Sequence, residues 1–166
     1  SGYRFSTGWA KDQRVFFVAR FSTPYQTWLV GDPEGYSHDR REIQATRARG
    51  LFRFVLRPGQ PLLLKVGISP VSVDGARRNL EREAPGWEFD GHRREAATAW
   101  ERKLQRVRIE TPDKARKTVF YTALYHSLLA PTAYNDVDGS YRGSNGQVQP
   151  PAAFQNHTGY PLWNTF

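Results

Sequence analysis

Cysteine and methionine are both absent from this sequence of 166 residues. Without cysteine the chain can form neither a disulfide framework nor a thiolate metal site. No apolar run approaches the roughly 18 residues that cross a bilayer, so we predict no membrane span. Residues 1–30 also lack the basic-then-apolar pattern of a signal peptide. The missing methionine and the opening Ser1-Gly2 suggest a processed, tagged or excised piece of a longer protein.

Acidic residues are fewer than basic ones, 16 against 24, which gives a net charge of +8. Such an excess permits binding to nucleic acid or to an anionic surface. The charges are dispersed, however, and the densest run, 38–49, mixes both signs. We therefore interpret them as a solvated surface and predict no nucleic-acid partner. With 39% hydrophobic and 14% aromatic residues, the composition is that of a globular protein.

The first seventy residues carry the pattern of a β-rich region. The polar stretch 34–49 has no clear period and is predicted as a long loop. Leu62, Leu64, Val66 and Ile68 alternate with other residues, which predicts a strand with one wholly apolar face. The segments predicted as strands are 3–10, 13–22, 26–30, 51–56 and 62–69. Short strands at this spacing, separated by turn residues, favour an antiparallel sandwich.

The stretch 65–79, KVGISPVSVDGARRN, marks a change from strands to helices. Ser72 is suited to cap a first helix, with Asp74 in its first turn, and Pro85-Gly86 ends that helix. Asp90 is predicted to cap a second helix. Because Ala96, Trp100 and Leu104 recur every four residues, this second helix has one apolar face.

A third helix is predicted to begin at Thr111-Pro112-Asp113, with Thr111 as its cap and Pro112 as its first residue. Its apolar face is wide, which indicates packing against several other helices. After Pro131 the sequence is typical of loops.

Few residues point to a particular chemistry. The segment 136–139, Asp-Val-Asp-Gly, resembles half of a calcium loop, but the expected Glu is replaced by Asn145, and a plain turn is the simpler interpretation. His126 is interpreted as a packing residue. Trp163 beside Asn164 pairs an aromatic face with a two-way hydrogen-bonding amide, as sugar sites do. A core tryptophan followed by a capping asparagine explains the same pair.

Three long blocks resemble glycoside hydrolase family 92. They are KVGISPVSVDGARRNLEREAPGW from Lys65, KTVFYTALYHSLLAP from Lys117, and DVDGSYRG from Asp136. The final LWNTF is similar to the family's Leu-Trp-Asp-Thr-Phe, and GWAKDQRVFFVARFSTP fits its preceding strand. These blocks bracket most of the chain.

The resemblance implies a β-then-α fold in three parts. Residues 1–71 would form the C-terminal part of an antiparallel β-sandwich, 72–110 linker helices, and 111–166 the start of an (α/α)6 barrel. The family comprises calcium-dependent, exo-acting, inverting α-mannosidases, so we expect a mannose-containing glycan as substrate, typically α-1,2-linked. The remainder of the same polypeptide would be a partner, and the location would be secreted or periplasmic.

The resemblance also implies where substrate is bound. Trp163 and Asn164 match the family's pair that contacts the terminal mannose, and Tyr141, Arg142 and Gly143 are further candidates within DVDGSYRG. Asn164 stands where the family has Asp, so hydroxyl recognition would be altered. The family's acid, base and main calcium ligands lie further downstream, and no catalytic or metal-binding residue is assigned here. A non-catalytic carbohydrate-binding module is the alternative.

Overall fold

The computed structural model describes residues 1–8 and 11–158. These residues form strands first, then helices, then a short hairpin. The elements are β1 (Gly2–Ser6), β2 (Gln13–Phe21), β3 (Thr27–Asp32), β4 (Gly35–Ser37), β5 (Arg49–Arg53), β6 (Leu64–Ser69), α1 (Val73–Glu83), α2 (Phe89–Leu104), α3 (Lys114–Ser127), β7 (Tyr141–Arg142) and β8 (Val148–Gln149).

The chain divides into two compact units, one formed by Ser1–Ala19 with Val66–Phe166, the other by Arg20–Lys65. In the first unit, β2 lies between β1 and β6, and β1 pairs with β2 in antiparallel register. Helix α1 packs on this sheet. Its Ala76 and Leu80 form the buried apolar core with Val18 of β2.

Strand β6 has the predicted alternation, but its apolar face is the exposed one. Val66 is 51% and Ile68 is 63% exposed. Gly67 and Ser69, on the opposite face, are buried against α1. Helix α1 therefore packs on the side of β6 that carries small residues, because a helix can approach a strand closely only where side chains are short.

The second unit is a three-stranded sheet in which β3 lies between β4 and β5. Both pairings are antiparallel, with Val30 opposite Ser37 and Trp28 opposite Phe52. The ring of Phe21 lies 5.2 Å from that of Phe52. The polar stretch 34–49 was predicted as a loop throughout, which is wrong at both ends, because β4 folds back on β3 and β5 begins at Arg49.

Helices α2 and α3 contact each other, and neither has a buried residue. The ring of Trp100 lies 4.6 Å from that of Tyr125. Among the described residues α3 contacts α2, and Val119 on its apolar face is 69% exposed, so packing of α3 against several helices stays a prediction.

Two predicted helix caps are corrected by the structure. Asp90 is not a cap, because α2 begins one residue earlier, at Phe89, and Glu88 is the cap residue without a side-chain bond. The cap of α3 is Asp113, whose carboxylate accepts from the N–H of Arg116 at 3.1 Å. Thr111 instead accepts from the N–H of Asp113. The Ser72 cap of α1 is confirmed, with the N–H of Gly75 at 2.9 Å.

The predicted order of antiparallel strands followed by helices is confirmed. The boundaries at residues 71 and 110 stay predictions. The segment after Pro131, predicted as a loop, contains the β7–β8 hairpin. Within the described ranges, no helix combines the length and hydrophobicity that crossing a membrane requires.

Candidate functional site

The first unit is organised around a buried carboxylate, that of Asp136. Its Oδ2 accepts a hydrogen bond from the Ser69 hydroxyl at 2.7 Å, and its Oδ1 accepts one from the Asn79 amide at 2.8 Å. Ser69 ends β6, Asn79 lies on α1, and all three residues are less than 10% exposed. We call these three residues the Asp136 cluster. It joins the end of the strand, the helix and the loop that follows Pro131.

Each neighbour of Asp136 in this cluster can only donate to it. The Ser69 oxygen already accepts from the backbone N–H groups of Val71 and Ser72, at 2.9 and 3.2 Å. The Asn79 amide is oriented by its donation to the Ile68 carbonyl and its acceptance from the Val137 N–H. Position 136 therefore requires a group that accepts at both atoms, as the two oxygens of the Asp136 side chain do.

Gly75 allows α1 to approach this carboxylate. A Cβ at residue 75 would overlap Asp136 Oδ2 and lie 2.7 Å from the Ser69 oxygen. The close packing of helix, strand and loop therefore depends on the absence of a side chain at this position.

The loop itself is a tight turn closed by the second aspartate. The Asp136 carbonyl accepts from the N–H of Gly139, whose φ is +87°, as glycine readily allows. The hydroxyl and N–H of Ser140 both donate to Asp138, and Arg78 of α1 forms an ion pair with Asp138 at 2.7 Å. The Ser140 hydrogen bonds, and then Arg78, lower the pKa of Asp138 below its usual value, although burial opposes them.

The β7–β8 hairpin follows this loop directly and carries three predicted substrate-binding residues. Arg142 donates from Nε to the Pro70 carbonyl at 2.8 Å and from Nη1 to the Gly146 carbonyl at 2.6 Å. Tyr141 packs edge-on against Phe154, with ring centroids 5.7 Å apart. Gly143 donates its N–H to the Gln147 carbonyl. All three are partly exposed, and because they are consecutive in the chain they lie together at the start of the hairpin.

The charges of Arg142 and Asp136 affect the pKa of the nearby Tyr134. Burial raises the pKa of Tyr134, the positive charge of Arg142 opposes that increase, and the negative charge of Asp136 adds to it. The phenol is therefore held in its neutral form, which can donate a hydrogen bond.

The carboxylates in the half calcium loop do not form a cation site. Asp136 is used by Ser69 and Asn79, and Asp138 by Ser140 and Arg78, so neither presents a free pair of oxygens. Among residues 1–8 and 11–158, no group of three or more His, Asp or Glu side chains is placed to hold a metal. A hydrogen-bonded turn at 136–139 is present, and its carboxylate oxygens are already used by protein donors, which does not fit a calcium site.

Two predicted substrate contacts, Trp163 and Asn164, lie outside the described residues. The substrate-binding roles of Tyr141, Arg142 and Gly143 stay predictions as well. From the sequence, Asp136 is interpreted only as part of a half calcium loop or of a plain turn, and its buried partners Ser69 and Asn79 are missed. The usable signal was the concentration of small and polar residues, Gly67 and Ser69 on the strand and Gly75 on the helix, where large apolar residues would be expected.

Comparison with known proteins identifies the family. The profile of the glycosyl hydrolase family 92 N-terminal domain matches residues 1–69, and that of the family's catalytic domain matches residues 75–166. The two matches meet at the change from strands to helices, so the chain includes parts of both family domains. The chain belongs to glycoside hydrolase family 92.

Two proteins similar to this chain are much longer than it. An uncharacterized secreted glycosidase of Arthroderma benhamiae is 35% identical over 137 residues, which cover 78% of this chain and 17% of the relative. The family 92 α-mannosidase BT3965 from Bacteroides thetaiotaomicron superposes with a TM-score of 0.82 at 27% identity, covering 97% of this chain and 22% of its own. The chain thus spans about a fifth of the length of these proteins.

Two further structures share the fold at lower identity. The family 92 glycosyl hydrolase ccman5 has a TM-score of 0.86 at 24% identity and covers 96% of this chain and 21% of its own. The inverting mannosidase BT2199 from Bacteroides thetaiotaomicron has a TM-score of 0.80 at 22% identity, over 88% of this chain and 20% of its own. These two support the fold alone.

Proposed function

We propose that the complete protein containing this chain is an exo-acting α-mannosidase. It would remove terminal α-linked mannose, typically α-1,2-linked, from mannosides or N-glycans with inversion at the anomeric carbon. The observation that carries the proposal is the match of both family domains along the chain, together with a mannosidase structure that is 27% identical over nearly all of it. The relative described as secreted supports a secreted or periplasmic location.

This chain would contribute to binding of the sugar. The segment Tyr141–Gly143 combines a partly exposed aromatic ring with a guanidinium that has N–H groups beyond the two used internally. Sugars are recognised by such a combination, because ring C–H faces pack on aromatics and hydroxyls pair with fixed polar groups. Trp163 and Asn164 would supply a second platform of the same kind.

The chemical step would be carried out by residues elsewhere in the protein. Inversion requires an acid and a base whose carboxyl groups are about 6.5–9.5 Å apart, with a water molecule between base and sugar. Asp136 is enclosed by its partners and Asp138 is paired with Arg78, so we assign neither role to them. Calcium, whose main ligands are expected downstream, would also be bound outside the residues described.

The experiment is an assay of mannose release by the complete protein from α-1,2-mannobiose, followed by proton NMR. We expect calcium-dependent release, with β-mannose as the first anomer formed. Residues 1–166 alone, assayed in parallel, are expected to release none. Binding of the glycan without release, unaffected by a calcium chelator, would instead identify a carbohydrate-binding module. First formation of the α-anomer would disprove inversion.

A single substitution tests the proposed contact at the end of the chain. Asn164→Asp in the complete protein should lower KM for the mannoside, because a carboxylate accepts two hydroxyl bonds more strongly than an amide. Gln44→Glu, the same change of amide to carboxylate at an exposed position, is the matched control and should leave KM unchanged. An unchanged KM in Asn164→Asp would argue against a contact there.

A further inference from the structure

The turn that carries Tyr141, Arg142 and Gly143 is connected to the rest of its unit through Asp136. The N–H of Asp136 donates to the carbonyl of Ser140, the residue immediately before Tyr141, at 2.8 Å. The side chain of Asp136 is held by Ser69 and Asn79. One residue therefore fixes the start of the turn to both the strand and the helix.

Arg142 also attaches this segment to the end of β6. Its Nε donates to the carbonyl of Pro70, the residue after Ser69, while its Nη1 donates to Gly146 within the hairpin. The position of Pro70 in turn depends on Ser69, whose oxygen accepts from the N–H groups of Val71 and Ser72. One of the two hydrogen bonds that orient the Arg142 guanidinium therefore ends at the residue next to Ser69, which is itself a partner of the Asp136 carboxylate.

We infer that Asp136 is a positioning residue, which holds the Tyr141–Gly143 turn in the orientation that binds substrate without touching the substrate itself. The inference rests on the proposed function, because the turn is proposed to contact the sugar. Asp136 is 3% exposed, so it acts only through its neighbours. The chemical requirement is specific: the site needs two acceptors, and an amide of the same size supplies one acceptor and one donor.

The test is Asp136→Asn in the complete protein. The new N–H₂ group would face either the Ser69 hydroxyl or the Asn79 amide, both of which donate, so the loop should loosen while its volume is preserved. We expect KM to rise about tenfold with kcat changed less than about twofold, as for loss of uniform binding. Hydrogen exchange at the Gly143 and Gly146 amides should accelerate about tenfold.

The matched control is Val18→Ala. Val18 is buried against Ala76 and Leu80 at the same interface between α1 and the sheet but is not part of the Asp136 cluster. The substitution Val18→Ala lowers stability without altering the donors and acceptors around residue 136. KM and the hydrogen exchange of the Gly143 and Gly146 amides should therefore change less than about twofold. Ser69→Ala, which removes one donor to Asp136 together with the acceptor of the Val71 and Ser72 N–H groups, is the second variant if Asp136→Asn does not fold.

The outcomes separate this inference from the proposed function. An unchanged KM and unchanged exchange at Gly143 and Gly146 in Asp136→Asn, or in Ser69→Ala where the first variant does not fold, would overturn the positioning role. Equal effects in Val18→Ala would also overturn it, because general destabilisation would then explain the data. If the unsubstituted protein releases no mannose, the proposed function fails, and the exchange measurements still decide whether Asp136 positions the turn.

Discussion

Helices α1 and α3 belong to the same unit but are stabilised in different ways. Four residues of α1 are buried, namely Gly75, Ala76, Asn79 and Leu80, although the helix is mostly polar. Helix α3 carries a wide apolar face and has no buried residue. In this chain, burial thus follows the fit of small and hydrogen-bonding side chains around α1, while no residue of the longer, more apolar α3 is buried by the described part of the chain. Two pairs of substitutions and one single substitution test that contrast.

The largest effect is expected from Leu80→Ala. Leu80 is 3% exposed in the core with Val18 and Ala76, so its truncation should leave a cavity and cost about 2–5 kcal/mol of stability. Val119→Ala on α3 removes a side chain that is 69% exposed and should stay within about 0.5 kcal/mol. Thermal unfolding of the complete protein measures both. A loss above about 1 kcal/mol for Val119→Ala would contradict the contrast between α1 and α3, because a loss of that size requires Val119 to be buried.

A pair of glycine substitutions should act in opposite directions. Gly75→Ala forces a Cβ against Asp136 and Ser69 and should cost about 1–3 kcal/mol. In α2, a Cβ at Gly91 would meet only ordinary contact, 3.4 Å from the Glu88 Cβ, so Gly91→Ala should stabilise by about 0.4–1 kcal/mol. Urea unfolding of the complete protein compares the two. Equal effects of the same sign would show that the close approach of Gly75 to Asp136 and Ser69 contributes little to stability.

The smallest effect concerns the exposed edge of the junction. The pKa of Asp138 is lowered below its usual value of 3.8, so the carboxylate contributes stability above that pH and loses it as the pH falls through the lowered pKa. Because its side chain is 37% exposed, Asp138→Asn should cost no more than about 1 kcal/mol at pH 7. The difference from the unsubstituted protein should shrink towards pH 3 in equilibrium unfolding. A difference that grows on acidification would contradict the assigned direction.

The sequence was sufficient for the order of the elements and for the family. Turn residues, the Ser72 cap and the alternation at 62–69 each have a local cause, which is why β6 and α1 were placed correctly. The sequence was not sufficient for the side of β6 that is buried. An apolar stripe ordinarily marks the packed face, but here Gly67 and Ser69 admit the helix, and periodicity alone does not distinguish the two faces.

The candidate site was predicted only in part. DVDGSYRG was identified through its resemblance to the family. The role of Asp136, however, depends on Asn79 and Ser69, which precede it in the chain by 57 and 67 positions. Such long-range contacts produce no periodic pattern in the sequence, because each partner is a single polar residue in a different strand or helix. The Asp113 cap was missed for a smaller reason: Thr111, Pro112 and Asp113 all favour a helix start, and only the backbone geometry selects among them.

The hydroxyl of Ser69 has a consequence for how the chain acquires its structure. Its acceptor sites are filled by the neighbouring N–H groups of Val71 and Ser72, while its proton is received by a carboxylate 67 residues later. Closing a loop of that length carries an entropic cost that local helix formation does not. During synthesis, which proceeds from the amino end, the strand and helix around Ser69 are therefore complete in sequence before their buried acceptor exists. The junction between the two domains can mature only after the ribosome has added residue 136.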